Sequence, residues 1–386
     1  MSLKEPSFTV GVEEEYLLVD RATRDLVTDM PESMIEDCEA EMEVEGQVSP
    51  EFLRAQIEVG TKVCRSVTEV RVELSRLRHC VQTVAARHGC APIAASTHPF
   101  AHWLDQRHTD RERYDSLGRE LQAAARRLLI CGMHVHVGIE DEEMRIDLMS
   151  QFAYFLPHLL ALSCSSPFWE GENTGLKSFR LTVFDALPRT GMPETFTSWA
   201  EYQRHIEVMA NAGLIEDGTK IWWDVRPSAR YPTLETRIMD VCTQLDDAVC
   251  VTAINVCLLR MLYRLRRANQ RWRTYARMLL MENRWRAMRY SFDEGLLDLG
   301  RGEIVPHGDA LGELIELIRD DADALGCTAE VEHAWTILER GTSAHRQVAA
   351  YERALGTGAS QREALSAVVD LLIEESVAPS VQDDAA

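Results

Sequence analysis

The sequence predicts an α+β fold, in which a mostly antiparallel sheet has helices outside it and is followed by a helical C-terminal third. Strand-like alternation and β-branched content recur in four segments, residues 8–19, 54–61, 131–138 and 220–240. The last of these contains a proline-bounded turn, as expected of an antiparallel hairpin. From Leu245 onward the apolar spacing is that of helices.

Composition limits the classes of partner. The chain has 386 residues, of which 46% are hydrophobic and 27% charged, so it can bury a large core. Acidic residues outnumber basic ones, 62 to 41, which gives a formal net charge of −21. This balance argues against binding a nucleic acid or an anionic membrane, because both would be repelled. It leaves nucleotides open, since a few local arginines can hold phosphates.

We expect a cytoplasmic protein. Residues 1–6 lack the apolar core of a signal peptide. The longest uncharged run, 148–169, is too polar for a convincing membrane span, and the more apolar run 248–259 is too short. The ten cysteines include no CxxC pair, so in a reducing compartment they are most simply small core residues.

The first strand carries the most informative charges. Alternation places Glu13 and Glu15 on one face with Gly11, and Glu14 on the other face. Two carboxylates on one face of an apolar strand repel each other and resist burial. A hard cation such as Mg²⁺ or Mn²⁺ would resolve this conflict. The alternative is an edge strand with both carboxylates in water.

Two further strands add polar groups. In the second strand segment, Gln56 and Glu58 share a face. In the third, His134 and His136 share a face, and a glycine stands at each end of the motif at 132–138. Two histidines at this spacing favour a metal ligand or phosphate contact over ordinary core residues.

Helices are predicted between these strands. Ser66 can cap a helix that runs to Gly89, and Glu69 can complete the capping box. The apolar spacing of residues 144–163 predicts one buried helix, kinked at Pro157.

The hairpin within residues 220–240 concentrates charge. Asp224 and Arg226 share a face of its first strand, and Glu235 and Arg237 share a face of its second. Cross-strand salt bridges would explain this pattern. Strand arginines beside a carboxylate also suit a metal–phosphate site.

The C-terminal region is predicted to be helical from Leu245 onward. Residues 308–376 have the spacing of three amphipathic helices, with breaks at 326–328 and 356–360. Residues 282–290 concentrate arginines near aromatic residues, which indicates either a second anion contact or an exposed helix face.

The inward strand faces together would carry carboxylates, histidines and arginines, namely Glu13, Glu15, Glu58, His134, His136, Arg226, Glu235 and Arg237. Divalent metals would bridge polyphosphate oxygens on such a surface, and arginines would hold a γ-phosphate. Phosphoryl transfer needs this positioning and charge neutralisation more than it needs a covalent nucleophile.

Eight motifs occur in an order that matches a known family: GVEEE at 11–15, QIE at 56–58, THPF at 97–100, CGMHVHVG at 131–138, SSPFW at 165–169, RPS at 226–228, LETR at 234–237 and ENRW at 282–285. Each motif is weak, but the set is specific. The chain resembles the glutamate–cysteine ligase type 2 family of bacterial carboxylate–amine ligases. The resemblance implies a glutamine-synthetase-like curved, mostly antiparallel catalytic sheet that uses ATP and Mg²⁺, with Mn²⁺ as an alternative.

The same resemblance implies roles for single residues. The implied metal ligands are Glu13, Glu15, Glu58, His136 and Glu235. The implied catalytic residues are Glu58, Arg226 and Arg237. The implied nucleotide contacts are Arg226, Arg237, His136 and Ser228. Which of His134 and His136 has which role stays open.

The implied reaction is phosphorylation of a carboxylate by ATP, followed by attack of an amine on the acyl phosphate. Glutamate and cysteine are the implied small-molecule substrates. A guanidino-type phosphotransferase on the same kind of sheet is one alternative. A mononuclear metallohydrolase is another, but it leaves Arg226 and Arg237 unexplained. A non-catalytic binding module is disfavoured, because it needs no clustered carboxylates.

The expected organisation is one catalytic domain over residues 1–378, sheet-rich over 1–241 and helical over 242–378. Residues 379–386 are expected to be a disordered acidic tail. The sequence leaves the oligomeric state open, a homo-oligomer included.

Overall fold

The computed structural model describes residues 4–42, 46–110, 118 and 120–377. Its strands are β1 Val10–Asp20, β2 Val48–Pro50, β3 Gln56–Gly60, β4 Cys90–Ile93, β5 Met133–Gly138, β6 Phe168–Trp169, β7 Glu172–Asn173, β8 Thr190–Gly191, β9 Trp222–Trp223, β10 Val225–Pro227, β11 Thr233–Thr236, β12 Leu296–Asp298 and β13 Glu303–Val305. The expected tail at 379–386 lies outside the described residues.

The α-helices are Met34–Met42, Val67–Arg87, Ala123–Arg126, Glu142–Phe152, Leu156–Ser163, Arg180–Phe184, Trp199–Asn211, Leu245–Arg267, Arg277–Tyr290, His307–Leu325, Thr328–Arg340, Ser343–Gly356 and Gln361–Glu375. Two short 3₁₀ helices cover Trp103–Asp105 and Gly218–Lys220.

One seven-stranded sheet takes strands from all four predicted segments, but β9, in the last segment, lies outside it and pairs in parallel with β8. Its order is β10-β11-β5-β1-β3-β2, and β4 pairs with the end of β1. Every pairing in this sheet is antiparallel. Leu17 of β1 lies opposite both Gln56 of β3 and Ile93 of β4, so β4 is on the side of β1 that β5 occupies further along. The predicted α+β fold with an antiparallel sheet is confirmed.

The two faces of β1 differ as its alternation predicts. Val10, Val12, Glu14 and Tyr16 are buried on the face that packs against the helix Val67–Arg87. The opposite face carries Gly11, Glu13 and Glu15, which are half-buried. We call this second face of the sheet the site face.

Glu14 is neutralised within the fold. Arg78 of the helix Val67–Arg87 donates two hydrogen bonds to its carboxylate, from Nε to Oε2 at 2.9 Å and from Nη2 to Oε1 at 2.6 Å. The Tyr16 hydroxyl donates a third at 2.5 Å. The remaining Arg78 donors bind the carbonyls of Cys242 and Thr243. This fully hydrogen-bonded buried pair joins the sheet to the helix behind it.

The helix Leu245–Arg267 forms the centre of the helical layer. It is long and apolar enough to cross a membrane, but 83% of its apolar window is buried inside the protein. The helices His307–Leu325 and Thr328–Arg340 pack against it. The structure therefore uses it as a core helix. All ten cysteines are buried and none forms a disulfide, which confirms their prediction as core residues.

Local signals gave some helix boundaries correctly and missed others. Ser66 caps its helix by accepting a hydrogen bond from the Glu69 amide at 3.2 Å, as predicted. The single kinked helix predicted over 144–163 is wrong. Two helices occupy that stretch, and Pro157 lies in the first turn of the second, where its missing N–H costs nothing.

The C-terminal region is not entirely helical. β12 and β13 form a hairpin whose turn is stabilised by the Asp298 side chain, which accepts hydrogen bonds from the Gly300 and Arg301 amides. The predicted three helices over 308–376 are four, because Gly341, with φ +92°, adds a break.

Candidate active site

Strand register brings the predicted site residues together on the site face. On β1, Glu13 lies opposite His134 of β5, and Glu15 lies opposite Glu58 of β3. Directly opposed residues of antiparallel strands have Cβ atoms about 4.5–5.5 Å apart. Local alternation and pairing therefore suffice to place these four side chains next to one another.

A second row of residues extends the site towards the hairpin. His136 of β5 lies opposite Gly11 on one side and Glu235 of β11 on the other, and Arg226 of β10 lies opposite Glu235. A Cβ atom at Gly11 would lie 3.7 Å from the His136 Cβ. The glycine therefore leaves the space beside His136 free of a side chain.

Three carboxylates converge on the β1–β3 side of the site. Glu15, Glu51 and Glu58 each offer an oxygen, and these oxygens all lie within 4.8 Å of one another. Burial, reinforced by the Glu51 charge, raises the pKa of Glu15 to about 8. Burial and the charges of Glu51, Glu13 and Glu15 raise the pKa of Glu58 well above its usual range. Among the described residues, no lysine or arginine forms a salt bridge with these three carboxylates.

This acidic cluster fits a hard divalent cation. Mg²⁺ and Mn²⁺ prefer carboxylate oxygens, and a cation would offset the burial and the mutual repulsion that together raise the two pKa values. Glu15 and Glu58 were predicted as metal ligands from the sequence, whereas Glu51 was not. Its place in the cluster follows from β2, which ends at Pro50 and pairs with β3. In the sequence Glu51 is an isolated acid seven positions before Glu58, which is a weak signal.

Glu13 has histidine partners instead. His134 Nδ1 lies 3.1 Å from Glu13 Oε2, and His136 Nε2 lies 3.5 Å from Oε1. Burial alone would raise the pKa of Glu13, but the hydrogen bond with His134 and the proximity of both histidines hold it well below its usual range. Burial and the Arg237 charge lower the pKa of His134 to about 4, so the ring is neutral at pH 7. Its Nδ1–H then donates to the Glu13 carboxylate.

His136 keeps one ring nitrogen available. Its Nδ1 lies 2.9 Å from Thr233 Oγ1. Its Nε2 is buried and has no hydrogen-bond partner within the part of the chain that the structure describes. Buried polar atoms are normally paired, so an orphan nitrogen beside Glu13 suits a metal or phosphate ligand.

The hairpin supplies the basic half of the site. Arg226 donates to both oxygens of Glu235, from Nε at 2.9 Å and from Nη2 at 3.1 Å. Its Nη1 donates to the carbonyls of Thr219 and Ile221. Arg237 Nη1 binds the same Glu235 carboxylate. Burial would raise the pKa of Glu235, but the two arginine charges keep it well below its usual range.

The two arginines differ in whether a guanidinium donor is left for a ligand. Arg226 uses each guanidinium nitrogen within the protein, so it mainly orients Glu235. Arg237 Nε is buried without a partner among the described residues. Arg237 is therefore the better placed of the two to bind an anionic ligand. The cross-strand salt bridge considered from the sequence does exist, as the Arg226–Glu235 pair.

Two other predictions concern turn and hairpin residues. Ser228 Oγ accepts hydrogen bonds from the amides of Arg230 and Tyr231, each at 3.3 Å, and so helps to shape the turn between β10 and β11. Asp224 does not pair across the hairpin, because it binds Arg284. The nucleotide contact at Ser228 stays a prediction, as do the individual metal, phosphate and catalytic roles of the other residues.

Comparison with known proteins gives the chain a family. The sequence profile of glutamate–cysteine ligase family 2 matches residues 9–370. A relative from Rhodospirillum rubrum, named "Putative glutamate–cysteine ligase 2", is 63% identical over 379 residues, which are 98% of this chain and 97% of the relative. A relative of the same name from Ruegeria pomeroyi is 54% identical, over 95% of this chain and 94% of its own.

Solved structures show the same fold at low identity. A glutamate–cysteine ligase from Francisella tularensis, in complex with AMP, has a TM-score of 0.68 at 11% identity, over 98% of this chain and 91% of that chain. A bifunctional glutathione synthetase from Pasteurella multocida has a TM-score of 0.67 at 15% identity, over 95% of this chain and 52% of that chain.

Family and fold together define the class as a carboxylate–amine ligase. The chain belongs to glutamate–cysteine ligase family 2. The family resemblance expected from the eight motifs is confirmed.

Proposed function

We propose that this protein uses ATP to join an amino-acid carboxylate to an amine through an acyl phosphate, with glutamate and cysteine as the first substrates to test. One observation carries the proposal. Within the described ranges, the site face has an acidic cluster at Glu15, Glu51 and Glu58 that lacks a lysine or arginine salt bridge, and Arg237 has a buried Nε donor without a partner. A polyphosphate with its divalent cation would complement both halves at once.

The acidic half would hold Mg²⁺ or Mn²⁺. Glu15, Glu51 and Glu58 supply the three carboxylates, and Glu13 with His136 lies beside them on β1 and β5. A bound cation would neutralise phosphate oxygens as charge develops on them. Glu235 is already shared by two arginines, so its predicted role as a metal ligand would require its oxygens to be divided between cation and guanidinium groups.

The basic half would hold the transferred phosphoryl group. Arg237 would donate to γ-phosphate oxygens, and Arg226 would keep Glu235 and Arg237 in place. A carboxylate oxygen of the acceptor attacks the γ-phosphorus and ADP leaves. The amine then attacks the acyl carbon and phosphate leaves, while the amine loses a proton. Neither step requires a covalent nucleophile from the protein.

The direct test is to supply ATP, Mg²⁺, glutamate and cysteine, and to measure ADP release together with the mass of the product. Hydroxylamine in place of the amine should trap the acyl phosphate as a hydroxamate. A panel of other amino acids and amines identifies the preferred pair. ADP formed only with a guanidino acceptor would replace the proposal with the phosphotransferase alternative. Hydrolysis that needs metal but no ATP would replace it with the metallohydrolase.

A substitution tests the phosphate contact. Arg237→Gln keeps a hydrogen-bonding side chain but removes the charge, and Glu235 keeps its Arg226 partner. A charge-assisted hydrogen bond contributes about 1.5–3 kcal/mol, so ATP affinity should fall by roughly tenfold or more. ADP affinity, measured by titration calorimetry with Mg²⁺, should stay nearly constant. An equal loss for both nucleotides would remove Arg237 from contact with the γ-phosphate.

A further inference from the structure

We infer that Arg284, on the helix Arg277–Tyr290, positions Arg237 in the active site without touching the substrate. The expected effect on turnover rests on the proposed function, whereas the expected effect on the backbone of the β10–β11 hairpin does not. The sequence left two interpretations for residues 282–290, an anion contact or an exposed helix face. The structure supports neither for Arg284, which is 1% exposed and ranks among the largest fully buried side chains.

Arg284 joins two carboxylates that come from different segments. Its Nε donates to Asp224 Oδ2 at 2.7 Å and its Nη2 to Asp224 Oδ1 at 3.2 Å. Its Nη1 and Nη2 donate to Asp185 at 2.6 and 2.8 Å. A planar guanidinium can hold two carboxylates in this way, whereas a lysine ammonium cannot reproduce the paired geometry.

The Asp224 branch leads to the backbone amide of Arg237. Asp224 lies between β9 and β10 and is 2% exposed. Its carbonyl accepts the hydrogen bond from the Arg237 N–H at 2.8 Å, one residue beyond the end of β11. Fixing the Asp224 side chain therefore fixes the point at which Arg237 leaves the hairpin.

The Asp185 branch leads to the carbonyl of the same residue. Asp185 directly follows the helix Arg180–Phe184. Arg180, at the start of that helix, donates from Nη1 and Nη2 to the Arg237 carbonyl, each at 3.3 Å. Arg284 therefore binds two segments that both contact the Arg237 backbone. The segment with Asp224 accepts a hydrogen bond from the Arg237 amide, and the segment with Asp185 contains Arg180, which donates to the Arg237 carbonyl.

Arg237 depends on this backbone support because its side chain has few restraints. Within the described ranges its guanidinium has one carboxylate partner, Glu235 on the same face, and its Nη1 lies 3.5 Å from His134 Nδ1. Its Nε has no partner among the described residues. A displacement of about 1 Å at a catalytic group can cost on the order of 100-fold in rate.

The test uses Arg284→Lys, with Arg286→Lys as the matched control. Arg286 is on the same helix, but it donates to the carbonyls of Glu294 and Gly295, away from the hairpin. Hydrogen–deuterium exchange should become faster in peptides that cover the Arg237 amide in Arg284→Lys, with β1 and β3 unchanged. The control should show wild-type exchange throughout. This measurement needs neither substrate nor turnover.

Kinetics supply the second measurement. Arg284→Lys should lower kcat by on the order of 100-fold and leave KM for the amino-acid substrates nearly unchanged, because Arg284 contacts neither. Added guanidinium ion should restore part of the rate in Arg284→Ala. Asp185→Asn leaves the Arg284–Asp224 salt bridge in place and should lower kcat and speed local exchange by a smaller amount. This variant replaces the Arg284 variants in the test if they do not fold.

The outcomes separate two hypotheses. Unchanged exchange at Arg237 in Arg284→Lys, or equally faster exchange across all peptides, would overturn the positioning role. Local exchange changes with wild-type kcat would overturn it as well. If the wild-type chain forms no ligated product with any substrate pair, the proposed function fails, and the exchange measurement still decides the role of Arg284.

Discussion

Glu14 and Glu15 are neighbours on β1 and have opposite surroundings. Glu14 is fully buried, and Arg78 and Tyr16 satisfy its carboxylate within the fold. Glu15 shares its face with Glu51 and Glu58, and none of the three has a lysine or arginine salt bridge within the described ranges. One carboxylate joins elements together, while the other belongs to a cluster without a lysine or arginine salt bridge among the described residues.

The comparison teaches how to separate structural from functional carboxylates. Both side chains are largely shielded from water, with 0% exposure at Glu14 and 15% at Glu15, so burial alone does not distinguish them. The difference is whether the chain provides the compensating charge. Removing Glu14 should therefore lower stability, while neutralising a member of the acidic cluster should lower activity and leave stability intact or improved.

The largest expected effect is on stability, in Glu14→Gln. The substitution leaves the Arg78 charge buried without its carboxylate, and breaking such a pair costs about 3–5 kcal/mol. Chemical denaturation with urea should show this loss in the free energy of unfolding. Glu15→Gln on the site face provides the comparison and should change the stability far less, because the pKa of Glu15 is raised rather than lowered in the folded protein. A loss below about 1 kcal/mol for Glu14→Gln would contradict the structural role.

The next effect is on turnover, in Glu58→Gln. The amide keeps the shape and removes a charge from the proposed metal site, so kcat should fall by at least ~100-fold, or about 2.7 kcal/mol. Thermal melting should show no loss, because the change also removes a carboxylate whose pKa is raised by burial and by its acidic neighbours. Near-wild-type ADP release from this variant would exclude Glu58 from the metal site.

The smallest effect is a pH dependence of stability without divalent cations. The pKa of Glu15 is raised from 4.5 to about 8, so folding favours its protonated form. The stabilisation that comes from this preference is complete at pH values below 4.5, the pKa in the unfolded chain. It is lost as the pH rises through about 8, the pKa in the folded protein. Between about pH 7 and pH 8.5 the free energy of unfolding should fall by about 1 kcal/mol.

The choice of pH range keeps the buried histidines out of the measurement. Burial lowers the pKa of His98 and His158 to about 4 and that of His307 to about 3, so their stabilising contribution is complete above the ordinary value of 6.5. Saturating Mg²⁺ should raise Tm more at pH 8.5 than at pH 7, because it binds the ionised carboxylates. Glu15→Gln should flatten the slope. A slope that persists in this variant would place its origin elsewhere.

The sequence by itself determined the sheet and the face on which most site residues lie. Strand side chains alternate with a period of two, so Glu13 and Glu15 must face away from Glu14 wherever β1 packs. The same rule puts His134 with His136 and Glu235 with Arg237. The motif order then identified the family, which the profile match confirms.

Tertiary structure alone decided which charges meet. Glu51 lies beside Glu15 and Glu58 because β2 pairs with β3. Arg78 binds Glu14 across the interface between the sheet and the helix. Arg284 binds Asp185 and Asp224 from a helix that is distant in the sequence. The two-residue periodicity of a strand is a local property of the backbone, and it determines only the face to which each side chain points. The partner of a buried charge is set by contacts between segments far apart in the chain, and these exist only after the sheet and its helices have packed.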